Sequence, residues 1–142
     1  MISLTPEMQD SISNARASGN PCIVATAARD GTPDMGYIGT MMALSDSTLA
    51  YKNRENNATL VSPEENPKVI VIYRNAATGV GWKFRCTAVE YEEGPYFDAV
   101  NSRLSPTGGD TAHTGTVVVL EIDQVLTLFG EVLQERTSGR RW

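Results

Sequence analysis

The polar residues best placed to hold a charged ligand follow the strand-like run Leu49-Ala50-Tyr51. They are Lys52, Asn53, Arg54, Asn56 and Asn57, two cations and three amides within residues 52–57. Cations and amide donors are what recognise a phosphate or carboxylate, because charge-assisted hydrogen bonds are shorter and stronger than neutral ones. Asn56 is also a candidate N-cap, its side-chain oxygen accepting an orphan N–H of a short helix that Pro63 and Pro67 bound. Free N–H groups at such a helix start carry partial positive charge and suit a phosphate. The same residues fit an ordinary capped turn with a solvated rim, and residue types alone leave both readings open.

Other reaction machinery is absent from the sequence. There is no Ser-His-Asp pattern, nucleophile elbow or Walker loop. His113 is the single histidine, in a polar loop where a surface role is expected. Gly79-Val80-Gly81 lacks the third glycine and the strand–helix context of a dinucleotide fingerprint, so it reads as a turn. Cys22 and Cys86 sit in strand-like runs without metal-ligand spacing, and are expected to be reduced, buried and free. A site of this kind suits a cofactor that carries its own redox chemistry and needs only to be held and oriented.

The elements that must position these residues follow from periodicity. Thr5 as N-cap, Pro6 at the first helical position and Glu7 in the first turn start a helix. Met8, Ile12 and Ala15 form its apolar stripe, and Gly19 ends it. It reads as a lid on the outside of a barrel. Cys22–Ala28 is a strand, Arg29-Asp30-Gly31 a hairpin turn, and Pro33 to Met42 a second strand whose Gly36 and Gly39 mark a bulge or a close approach. With Thr48–Asn53 these strands predict a three-stranded meander. Lys68–Arg74 is a buried strand. Gly81–Val89 alternates, with Trp82, Phe84, Cys86 and Ala88 on one face and Lys83, Arg85 and Thr87 on the other. Pro95–Leu104 is a second helix, and Ser105–Gly115 a long polar loop. Thr116–Ile122 is a strand, and Val125–Leu133 a further one broken at Gly130.

The order Leu49-Ala50-Tyr51-Lys52-Asn53, Asn56-Asn57-Ala58, Asn66-Pro67 and the strand Val69–Tyr73 resembles the pyridoxamine 5'-phosphate oxidase-like family of FMN-binding split barrels. The resemblance spans roughly Pro21 to Tyr91. It implies a mainly β fold, a split barrel of six to seven mostly antiparallel strands with flanking helices, in a single domain over residues 1–142. It also implies a homodimer with FMN clefts across the interface, and a flavin-dependent oxidoreductase acting on a small molecule. Carried over by position, the second strand offers Tyr37, Ile38, Gly39 and Thr40 as backbone contacts to the ring. Lys52, Asn53, Asn56 and Asn57 match the phosphate loop. Asn56, Asn57 and Ala58 stand where Ser, Arg and Lys are usual, so Lys52 and Arg54 are the cations left nearby. Arg74 and Trp82 are placed to contribute across the dimer, although Trp82 equally begins the core face it shares with Phe84. The alternatives are a non-catalytic protein binding a flavin, deazaflavin or haem-type ligand, and a dimer with an empty cleft.

Composition narrows the class. At 142 residues and 41% hydrophobic the chain is long enough for one real core. A net charge of -5 with dispersed basic residues argues against nucleic acid. No apolar run suits a membrane span, and the first residues do not resemble a signal peptide, so a cytoplasmic protein is expected.

Overall fold

The computed structural model describes residues 1–53, 60–104, 115–136 and 142. Ten elements follow in chain order: α1 (Pro6–Ser13), β1 (Cys22–Ala27), β2 (Pro33–Ile38), β3 (Met42–Ala43), β4 (Thr48–Asn53), β5 (Lys68–Arg74), β6 (Gly81–Tyr91), α2 (Pro95–Leu104), β7 (Thr116–Leu126) and β8 (Val132–Glu135). The fold is mainly β, and every strand pair is antiparallel. One sheet runs in the order β2-β1-β5-β6-β7-β4-β3, and β8 pairs beside β7.

The connectivity forces this sheet to curl. Laid flat, the seven strands of the path would separate the edge strands by about 29 Å at the usual interstrand spacing. Yet β2 ends at Ile38 and β3 begins at Met42, so only Gly39, Thr40 and Met41 join the two edges. Four residue steps span at most about 14 Å. The sheet therefore bends into a half-barrel whose split is bridged by this short link.

The concave face holds the main core. Val24, Val69, Val71, Tyr73, Phe84, Cys86, Leu120 and Ile122 meet there with Leu49 and Tyr51, all buried. Removing each such aliphatic or aromatic side chain from water contributes about 1.5–3 kcal/mol before entropy is counted. Helix α1 begins as its sequence dictates, Thr5 Oγ1 accepting the Met8 N–H at 3.2 Å. It ends at Ser13, and the chain turns on to Gly19, whose φ is +82°. Its stripe of Met8, Ile12 and Ala15 lies within the main core, so the helix closes the half-barrel from inside rather than lying on it as a lid. The second helix packs outside: Phe97 and Val100 meet Met42, Ala50, Val117 and Val119 on the convex face of β4 and β7.

Three strand expectations change. The run Pro33–Met42 is not one strand, because it carries the link between the sheet edges. The predicted meander does not form either: β4 pairs with β3 and β7, while β1 lies between β2 and β5. Finally, Thr116–Leu126 is one strand through a bulge at Asp123, where the register jumps from Cys86↔Ile122 to Arg85↔Gln124. The extra residue lets Ile122 and Val125, an odd number of residues apart, both face the core. The chain then reverses at Thr127–Gly130 (Thr127 N–H to Glu131 C=O, 2.8 Å; Gly130 φ +101°), and β8 returns along β7.

At the β5–β6 hairpin, glycine is obligatory at position 81. A Cβ there would lie 2.1 Å from the Tyr73 carbonyl oxygen. The Gly79-Val80-Gly81 segment is thus a tight strand connection. The short helix expected after Asn56 and the Ser105–Gly115 loop with His113 fall on residues 54–59 and 105–114, outside the described residues.

Candidate functional site

The link that closes the barrel is also where the sequence-derived contacts gather. Tyr37 ends the convex row of β2 and is 71% exposed, whereas Ile38 points into the core and offers only its backbone. Thr40 is fixed by β4: its hydroxyl donates to the Lys52 carbonyl (3.2 Å) and accepts the Lys52 N–H (3.0 Å). This two-way clasp ties the end of β2's link to the end of β4, and so sets the spacing between the backbone run 37–40 and the polar run that begins at Lys52. The Lys52 side chain is buried on the convex face with Ala50, near α2.

Two cations reach the same run. Arg74, at the end of β5, lines a cavity of about 320 Å³ with Gly19, Asn20, Pro21, Ile23, Tyr37 and Ile72. A neighbouring cavity of about 250 Å³ shares Ile23 and Tyr37 and adds Met35 and Gly36. Arg16, just beyond α1, lies against Gly39, with its Cδ 3.0 Å and its Nε 3.4 Å from where a Cβ of residue 39 would sit. Sequence reasoning missed Arg16. The signal was there in Gly39, a residue without a side chain, but nothing in one dimension says which cation uses that space.

Among the described residues every ion pair is made by Arg136, so Arg16, Lys52 and Arg74 have no described carboxylate partner. Asn53 adds an acceptor: its Oδ1 is buried without a hydrogen-bond partner among the described residues, while its Nδ2 donates to Glu90 at a long 3.5 Å. Beside it Tyr51 is buried, and burial, then the charge of Glu90, pushes its phenol well above the ordinary range.

Of the residues expected here, Tyr37, Gly39, Thr40 and Arg74 come together along the rim, with Ile38 and Lys52 contributing backbone and Asn53 its amide. Trp82 lies apart. Its ring stacks on Tyr73 at 6.2 Å with 14° between planes, and it packs against the main core. Arg54, Asn56 and Asn57 lie outside the described residues. Both cysteines are free and buried, and burial pushes the Cys22 thiol up to about 12 and Cys86 well above its ordinary value.

The family profile described as pyridoxamine 5'-phosphate oxidase matches residues 4–129, which take in the whole rim. The chain belongs to the pyridoxamine 5'-phosphate oxidase family. A search of curated proteins finds no match. Among solved structures, HupZ of Group A Streptococcus is 24% identical, with 92% of this chain and 99% of that one covered and a TM-score of 0.76. An FMN-binding protein of Syntrophomonas wolfei is 17% identical over 90% of this chain and 89% of that one, with a TM-score of 0.62. General Stress Protein 26 of Bacillus anthracis is 13% identical over 90% and 98%, with a TM-score of 0.61. These likenesses establish the split-barrel fold for this member of the pyridoxamine 5'-phosphate oxidase family. No helix among the described residues is long and apolar enough to cross a membrane.

Proposed function

We propose that this member of the pyridoxamine 5'-phosphate oxidase family binds FMN at the split of its barrel, as a homodimer, and acts as a flavin-dependent oxidoreductase on a small molecule. The observation that carries the reading is the approach of Arg16 and Arg74, two cations without a described carboxylate partner, to the backbone run 37–40. The residues present fit the cofactor's chemistry. Cations suit a phosphate, the run 37–40 supplies main-chain groups for a ring edge, and the buried Asn53 Oδ1 is an acceptor for a ring N–H. Bound FMN would supply electron transfer. The protein's part would be to hold the phosphate through Arg16 and Arg74, to fix the ring through the Thr40–Lys52 clasp, and to exclude water with Tyr37, Ile23 and Ile72.

Dimerisation is supported by the convex face of β2, β1 and β5. Met35 and Tyr37 are exposed there beside half-buried Ile23, Ile70 and Ile72, and both helices pack elsewhere, α1 in the main core and α2 over β4 and β7. An apolar face of that kind is usually covered by a partner. A non-catalytic flavin, deazaflavin or haem-type binding protein is the second reading. It is favoured by Asn56, Asn57 and Ala58, which stand where the family's Ser, Arg and Lys are usual. The visible spectrum of freshly purified protein tests binding, since flavin absorption is expected. A colourless protein that takes up no added FMN overturns both readings. Turnover of the bound flavin between a nicotinamide donor and an acceptor separates the enzyme from the binding protein, and sedimentation at micromolar concentration tests the dimer.

A further inference from the structure

At the other end of the sheet, the bulge in β7 builds something the rim does not use. The bulge residue Asp123 is only 3% exposed, and its carboxylate turns toward the convex face. It accepts the Thr87 hydroxyl at 2.6 Å, the Trp142 indole N–H at 3.0 Å and the Arg136 guanidinium. The indole ring is flanked by two cations: Lys68 Nζ is 4.8 Å from its centroid and Arg85 Cζ is 5.6 Å away. Strand register places them, because Lys68 pairs with Thr87 and Ile70 with Arg85 on neighbouring strands. Lys68 and Arg74 stand at opposite ends of β5, about 20 Å apart at the rise of an extended strand, so this cluster is separate from the rim.

We propose that this cluster is a binding socket for a flat heteroaromatic ring bearing an N–H, occupied in cis by the chain's own Trp142. Each wall matches one property of such a ring. The electron-rich face attracts the ammonium and guanidinium groups. The N–H donates to a carboxylate that is costly to bury without its full set of donors. A ring of the same shape without the N–H gives up one hydrogen bond to that carboxylate, so the socket discriminates by chemistry and not by shape alone. While Trp142 is seated the socket is closed to free rings.

The test empties the socket. Trp142→Ala protein is titrated with free indole and with benzofuran, an isostere that has oxygen in place of the N–H. Uptake is followed by amide chemical shifts of Lys68, Arg85 and Asp123 and by thermal midpoint. Indole is expected to bind the variant and raise its midpoint, to leave the native protein unchanged, and to bind at least tenfold tighter than benzofuran. A folded variant that takes up no indole, or that binds both rings equally, overturns the proposal. A second measurement holds even if that variant fails to fold. In Trp82→Phe protein, Trp142 is the sole indole, and its emission should be shielded from acrylamide. That shielding should be lost in Lys68→Ala/Arg85→Ala. Quenching as free as that of the unfolded chain, or shielding unchanged without the two cations, overturns the socket.

Discussion

Replacing Gly39 by alanine is the sharpest perturbation of the rim, because it displaces a cation without removing one. Gly39 does not have a positive φ, so its backbone accepts a side chain. The new Cβ would lie 3.0 Å from Arg16 Cδ and 3.4 Å from its Nε and a terminal nitrogen, too close for the present position of the guanidinium. Arg16 is exposed and flexible, so the fold yields at little cost, within about 0.5 kcal/mol for a surface change of this kind. Its side chain must give by a few tenths of an ångström, which shifts its charge relative to the run 37–40. A charge-assisted hydrogen bond contributes about 1.5–3 kcal/mol, so Arg16→Ala is expected to weaken FMN by about 10- to 100-fold. Gly39→Ala should show part of that loss. Because both changes act through one guanidinium, the double variant should bind as Arg16→Ala does, a non-additivity that a double-mutant cycle measures. Titration of FMN and of riboflavin, which lacks the phosphate, is the assay. Riboflavin should be indifferent to all three variants. Additive losses, or equal losses for riboflavin, would refute the assignment of Arg16 to the phosphate.

Thr40→Val removes both hydrogen bonds of the clasp on Lys52 and should cost about 1–3 kcal/mol by denaturant unfolding, with Thr40→Ser largely restoring it. Asp123 predicts a pH dependence. Burial alone raises its pKa, but the hydrogen bonds from Thr87, Trp142 and Arg136 together with the Arg136 charge hold it below the usual carboxylate range. A carboxyl depressed on folding stabilises fully above its unfolded pKa, about 3.9, and that contribution fades as pH falls through the folded value. Stability should therefore drop below about pH 4, and Asp123→Asn should be less stable at neutral pH and flatter across that limb. Cys22 and Cys86 should react with a thiol reagent only at the rate of unfolding, two thiols per chain in the unreduced protein, since burial disfavours both thiolates.

Strong local periodicity made much of this fold legible. The alternation from Phe84 to Ala88, the Thr5 cap and the Asp30-Gly31 turn each formed as their residues dictate, because nothing nonlocal opposed them. The errors came where a tertiary constraint overrode the pattern. Pro33 to Met42 reads as one strand, yet three of its residues must bridge the two edges of the sheet. Ile122 and Val125 read as separate strands because a bulge shifts the inward parity between them. At the rim, the positions of Lys52 and Arg74 near the ends of β4 and β5 were legible from their strand patterns. Arg16 was not, because its place depends on the close approach of a post-helical turn to a glycine far along the chain.

Amide chemical-shift mapping on adding FMN is the most direct test of whether an anionic flavin is held at the split of the barrel. Perturbations are expected to gather at Tyr37 to Thr40, Arg16, Lys52, Asn53 and Arg74, and to leave Asp123 and the β7–β8 hairpin unmoved. Shifts that cluster at the Trp142 socket, or none at saturating FMN, would contradict it.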